Sequence, residues 1–134
     1  VDGRPFDIRR CANLASGQVL ALACDCLGAT TPGYTEIEIE IERIVGEIVE
    51  KTPGAVFFTT ISSNISRIKQ AINVSQRLGR KVVFIGRSIV RKSGIAQNLG
   101  YLDYPSDVVI QPKDAEKLDP GKMMYVISGC YGQP

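Results

Sequence analysis

The feature that most constrains this chain is a rhythm. Short apolar runs, each bounded by turn-forming residues, alternate with longer stretches of helical spacing. The runs at 19–23 (VLALA), 55–59 (AVFFT), 81–85 (KVVFI), 108–110 (VVI) and 123–127 (MMYVI) are too short for helices, and most are rich in β-branched or aromatic residues. Between two of them, Ile65, Ile68, Ile72 and Leu78 recur at helical spacing. Ser62, Ser63 and Asn64 stand where an N-cap belongs and Gly79 where a helix ends. A second helical stretch leads from Gly86-Arg87-Ser88 to about Leu99-Gly100. Strands alternating with helices of this length predict an α/β fold with three layers. It has a mostly parallel, Rossmann-like sheet of about five strands, with helices on both faces.

The first half of the chain is less regular. Pro5 suits the first turn of a short helix over 5–15, ended by Gly17. The segment 35–52 contains E-I-E-I-E-I-E, whose strict alternation reads as a strand. Yet Thr35 and Glu38 fit a capping box, acids crowd the start, and Ile37, Ile41, Ile44, Val45 and Ile48 share a helical stripe. A helix is the preferred reading. Ile39 falls off that stripe, so the helix is expected to be buried on two sides or to meet a neighbouring domain.

At 134 residues the chain is one domain's worth, with 44% hydrophobic and 22% charged residues. No run approaches a membrane span, and the first residues lack the apolar core of a signal peptide, so a cytoplasmic location is expected. A net charge of +2 argues against a strongly basic nucleic-acid module working alone. The charge is uneven, however. Arg67, Lys69, Arg77, Arg80, Lys81, Arg87, Arg91 and Lys92 follow one another with no acid between them, while 36–50 is acidic. This is either a one-sided basic surface or a set of solvated helix faces. The cysteines at 11, 24, 26 and 130 form no C-x-x-C pair and the chain has no histidine, which disfavours a tetrahedral zinc site and leaves free thiols as the expectation.

In parallel sheets, ligands bind beyond the carboxyl ends of the strands. Asp25, the Ser62-Ser63-Asn64 cluster, Gly86-Arg87-Ser88 and the segment 128–133 with Ser128, Gly129, Tyr131 and Gly132 fall at such ends. Each also has a plain structural reading, as a turn cap, an N-cap or a loop. Neither the P-loop nor the G-x-G-x-x-G fingerprint is present. Unaided, the residues indicate an α/β domain with a polar edge suited to an anionic ligand.

The ordered motifs go further. V-D-G-R-P-F-D at the start, D-C-L-G-A-T-T-P-G-Y-T at 25–35, T-T-I-S-S-N-I-S-R-I at 59–68, G-R-K-V-V-F-I-G-R-S at 79–88, L-G-Y-L at 99–102 and S-G-C-Y-G-Q-P at the end resemble the β-CASP domain of ribonuclease J-type metallo-β-lactamase nucleases. The resemblance implies a single β-CASP domain over 1–134, with 1–17 a junction from the metallo-β-lactamase domain and 128–134 a junction returning to it. It implies that the full-length enzyme is a hydrolase acting on RNA from the 5′ end and internally. Two zinc or manganese ions would be held by histidines outside this piece, and the piece alone would be inactive. The implied partners are single-stranded RNA, the metallo-β-lactamase domain of the same chain and a second copy in a homodimer; no membrane is implied. Asp25 matches the family's motif A acid, linked to catalysis. Ser62, Ser63, Asn64, Gly86, Arg87, Ser88, Ser128, Gly129, Tyr131 and Gly132 match positions lining the RNA channel.

Departures also stand out. Cys26-Leu27-Gly28 replaces the usual Ser-Thr-Asn, Cys130-Tyr131 occupies the last loop, and Gln133 replaces Glu. A divergent, non-catalytic RNA-binding module is the alternative they leave open. A small-molecule α/β protein is a more distant one.

Overall fold

The computed structural model describes residues 7–17, 19–21, 23, 30–33 and 38–129. Its elements are α1 (Ile8–Ala15), α2 (Glu38–Glu50), β1 (Val56–Thr60), α3 (Ile65–Arg77), β2 (Lys81–Ile85), α4 (Arg87–Asn98), α5 (Pro112–Ala115), a 3₁₀ turn (Pro120–Lys122) and β3 (Met123–Ser128). The strands form a parallel sheet in the order β1-β3-β2.

Register decides which face each residue serves. Val56, Met124 and Val82 stand side by side, as do Phe58, Val126 and Phe84 two residues further on. Alternation puts all six on one face. There they pack with Val49 of α2, Ile68, Ala71 and Ile72 of α3, and Ile89 and Ala96 of α4. The opposite face gathers Val83, Met123 and Tyr125 against Ala115 of α5.

Crossover geometry explains the split. The steps from β1 through α3 to β2, and from β2 through α4 to 108–110, advance in one direction across the sheet. The step through α5 back to β3 runs the other way. Right-handed crossovers therefore put α3 and α4 on one face and α5 on the other. The result is unequal cover: four residues of α5 stand against three long helices. Phe57 stays 64% exposed, stacked on Tyr125 with ring centroids 5.1 Å apart, and Ile85 is 40% exposed.

The five expected strands become three among the described residues. The run 108–110 contributes only one parallel bridge, Val82 to Val109, flanking β2. Val82 N donates to Val108 O at 2.8 Å and Ile110 N to Val82 O at 2.9 Å. Pro112 opens α5 immediately afterwards and leaves the ladder no room to extend. Of 19–23, Val19, Leu20, Ala21 and Ala23 lie in no strand and Leu20 is fully exposed. An apolar run marks a buried strand only where a neighbouring strand pairs with it.

The helices follow their local signals. Asp7 caps α1, its Oδ1 accepting from Arg10 N at 2.8 Å, and Ile8 and Leu14 of that helix are exposed. Pro5 and the Thr35 capping box lie outside the described residues. The ambiguous segment is helical, but its stripe is rotated from expectation. Val49 is buried and Val45 packs on the core, whereas Ile44 and Ile48 are exposed. Gly46 sits against the Arg77 side chain, and a Cβ there would collide with that guanidinium. Contact with α3 thus turns α2 toward its glycine. Among the described residues no helix is long and apolar enough to cross a membrane.

One residue of the basic run leaves the surface entirely. Arg80 is only 7% exposed. Its guanidinium donates to the carbonyls of Gly54 at 2.8 Å, Val49 at 3.1 Å and Met123 at 3.3 Å, and to that of Thr52. These are the end of α2, the loop into β1 and the start of β3. Each buried acceptor left unsatisfied costs about 1–3 kcal/mol. Arg80→Leu is therefore expected to lower unfolding free energy by about 3–5 kcal/mol in urea titration. Arg80→Lys should recover only part of it, because an ammonium lacks the planar fork. A loss below about 1 kcal/mol for Arg80→Leu would show that water replaces the guanidinium.

Candidate functional site

The parallel sheet delivers three chain segments to one edge. β1 ends at Thr60, β2 at Ile85 and β3 at Ser128. Gly129 N donates to Thr60 O at 3.4 Å, closing the β3 tip onto the β1 tip. Past these ends the polar residues meet. Ser62 Oγ and Ser88 Oγ are 2.8 Å apart, and Lys92 Nζ donates to Ser62 Oγ at 3.1 Å. Ser62 is buried at 8% exposure, so its hydroxyl fixes Ser88 and Lys92 in place.

Helical spacing builds the rest. Arg87, Arg91 and Ile95 lie at i, i+4 and i+8 of α4, with Ser88 and Lys92 one residue on. With Ser128 these six residues line a cavity of about 850 Å³. No carboxylate is among them. Lys81 is not part of this group. It donates to Asp107 at 2.8 Å and holds that carboxyl below the usual carboxylate range. Arg43 is likewise engaged with Glu40 and Glu47 on α2. Glu40, Glu47 and Asp107 thus pair with cations elsewhere, and the described lining of the cavity holds three cations and no acid.

The first turn of α4 adds to it. Gly86 stands at the N-cap and makes no side-chain cap hydrogen bond. Amides at the start of a helix have no intrahelical acceptor and face outward with the positive end of the dipole. Gly86 has φ +113°, which side-chain-bearing residues rarely adopt. A Cβ there would also lie 2.5 Å from Ser128 Oγ. The Ser128 hydroxyl could turn aside, so the φ is what requires glycine here, while the β2 and β3 tips are held together by the ladder that pairs Ile85 with Ile127.

The structure thus brings together Ser62, Gly86, Arg87, Ser88, Ser128 and Gly129 of the expected residues. Ser63 lies one step away, in a neighbouring apolar hollow. Asn64 caps α3, its Oδ1 accepting from Arg67 N at 3.0 Å. Asp25, Tyr131 and Gly132 lie outside the described residues, as do the departures at Cys26, Leu27, Gly28, Cys130 and Gln133. Arg91 and Lys92 were missed as site residues. They were visible only as members of the basic run; their i+4 spacing from Arg87 and Ser88 was the signal that marks them. Among the described residues no group of three or more His, Cys, Asp or Glu is placed to hold a metal ion.

Gly86→Ala tests the geometry. It is expected to cost about 1–3 kcal/mol from backbone strain alone. The amide signals of Ser88 and Gly129 should move most in a nitrogen–proton correlation spectrum. Unchanged signals there would show that the φ at Gly86 does not require glycine.

Comparison with known proteins identifies the family. Residues 53–134 match the family model described as Ribonuclease J, beta-CASP domain. The chain is 34% identical over 134 residues to Ribonuclease J of Thermus thermophilus, covering all of this chain and 23% of the relative. It is 33% identical over 133 residues to Ribonuclease J of Corynebacterium glutamicum, covering 99% of this chain and 18% of the relative. It is 32% identical over 134 residues to Ribonuclease J of Mycolicibacterium smegmatis, covering all of this chain and 24% of the relative. The chain therefore spans between 18% and 24% of the length of these relatives, and it belongs to the Ribonuclease J family, with residues 53–134 in that family's beta-CASP domain.

Proposed function

We propose that this chain is the RNA-holding part of a ribonuclease, gripping the phosphates of a single strand in the basic cavity at the strand tips. The observation that carries this reading is the joined Ser62, Ser88 and Lys92 group beside Arg87 and Arg91, with no acid lining the cavity among the described residues. Such a wall offers a phosphate three kinds of contact. Serine hydroxyls donate hydrogen bonds, Lys92 supplies a compact charge, and the arginines supply a planar fork for two oxygens at once. The free amides at the start of α4 favour the same anion. Ser63, Asn64, Gly129, Tyr131 and Gly132 border the channel in this reading. Contacts of this kind position a nucleic acid without reading its sequence.

The cutting chemistry belongs elsewhere. The chain has no histidine, and the described residues bring no three metal-binding side chains together. They do not fit a metal pair, and no hydrolytic step is assigned to them. In this reading a metallo-β-lactamase domain of the same polypeptide supplies two zinc or manganese ions. Asp25 lies near that centre. The whole enzyme works in the cytoplasm as a dimer and cleaves RNA from the 5′ end and internally. The sequence changes at 26–28 and at Gln133 favour one second reading, a module that holds RNA without cutting it.

Salt dependence tests the grip. The 134-residue chain is expected to bind 5′-phosphorylated single-stranded RNA with an affinity that falls as salt rises, and to leave it uncut in zinc or manganese. Arg87→Ala and Lys92→Ala should each weaken binding about tenfold. Each should also reduce the slope of log affinity against log salt by about 0.7, the value for one lost phosphate contact on a single strand. Salt slopes unchanged in both variants would remove this cavity as the phosphate site. Cleavage by the full-length protein, lost in Asp25→Ala, would decide against the non-catalytic reading.

A further inference from the structure

The basic cavity does not end at Lys92. Lys92 and Ile95 also line a second hollow of about 240 Å³, whose other walls include Ser63, Ile65, Leu99 and Tyr101. Lys92, Ile95, Ala96 and Leu99 lie at i, i+3, i+4 and i+7, so one stripe of α4 changes from charged to apolar along its length. The hollow is below the roughly 300–1,000 Å³ of pockets for drug-sized molecules, and suits one flat ring system.

Its aromatic wall is held in place. Leu99 is the C-cap of α4, and Gly100 follows with φ +76°. Gly100 N donates to Gln97 O at 3.0 Å and Tyr101 N to Ala96 O at 2.8 Å. This is the paired-bond ending of a helix that closes on a left-handed glycine. Leu102, 1% exposed, anchors the next residue in the core. Tyr101 is thus fixed at its backbone while its side chain stays 62% exposed, beside Ile95 at 48% and Leu99 at 66%.

We propose that Tyr101, with Ile95 and Leu99, forms a stacking platform for a nucleobase of the same RNA strand whose phosphate sits at Ser62, Ser88 and Lys92. The inference rests on the RNA-holding reading above and deepens it. Single strands are bound by just this pairing of a basic track with aromatic faces, and stacking tolerates any base. Lys92 stands at the junction of the two hollows, where the phosphate and base of one nucleotide separate. A protein segment is the competing occupant, since Ile95 and Leu99 are aliphatic. Continuity with a cavity whose described lining holds three cations and no acid favours the nucleotide.

The test compares two probes of about ten units, a 5′-phosphorylated uridine oligonucleotide and its abasic ribose-phosphate counterpart, bound to the full 134-residue chain. Tyr101→Ala is expected to weaken binding of the base-bearing probe about tenfold and leave the abasic probe unchanged. Tyr101→Phe should retain wild-type affinity. Tyr101→Leu, which keeps an apolar side chain, should behave like the alanine variant and guards against misfolding, checked by circular dichroism. If Lys92→Ala weakens binding while Tyr101→Ala and Tyr101→Leu do not, the platform is overturned and the phosphate site stands. Equal losses on both probes also overturn it, as does a shift in oligomeric state by sedimentation with RNA affinity unchanged. If no variant, Lys92→Ala included, alters binding, both readings fall.

Discussion

The structure depends on a buried guanidinium serving four carbonyls and no carboxylate. Arg80, the residue just before β2, ties the end of α2, the turn before β1 and the start of β3 together. An ion pair at that place would bring a second desolvated charge, whose cost rivals the attraction gained. Backbone carbonyls need partners in any case, so the guanidinium satisfies groups that burial would otherwise orphan. It does so at the amino ends of the strands. Fixing the register there fixes where the other ends fall, and the site is made of those other ends.

At the carboxyl ends the same economy of partners is reversed. Ser88 and Lys92 are joined through Ser62 and both line the cavity, where Lys92 keeps donors to spare. The start of α4 carries no side-chain cap. α3 is different. Asn64 closes its amino end, so of two helices entering from the same sheet edge, one is sealed and one is open. The sequence foreshadows the contrast, since a Ser-Ser-Asn cluster precedes α3 and a lone glycine precedes α4. That glycine is required by its own φ. The residue that turns the chain from β2 into α4 also leaves the helix start without a side-chain cap.

Much of this was legible from spacing. β2 falls on KVVFI, and α3 and α4 end at the glycines that mark them. What local pattern did not hold was set by tertiary partners. The run 108–110 has the composition of a strand, but Pro112 permits a single bridge. The stripe on α2 was chosen by hydrophobicity, whereas packing turned the helix so that Gly46 meets Arg77 and left Ile44 and Ile48 outside. The four-residue α5 is too short to carry a periodic signal. In the basic run, spacing alone cannot separate Arg80, which is structural, from Arg91 and Lys92, which line the cavity.

Net charge says little about the field at the strand tips, and the reason is physical. A total of +2 describes the field far from the molecule, where all charges are felt together. A phosphate in the cavity is within a few ångströms of Arg87, Arg91 and Lys92, while physiological salt screens exposed charges beyond about 8 Å. Among the described residues no acid is in the lining. Several acids are drawn to α2, where Glu40 and Glu47 are engaged by Arg43, and Asp107 is engaged by Lys81. Segregation of this kind gives a strong local field with weak long-range steering, so the potential at the strand tips is set by the lining and not by the total.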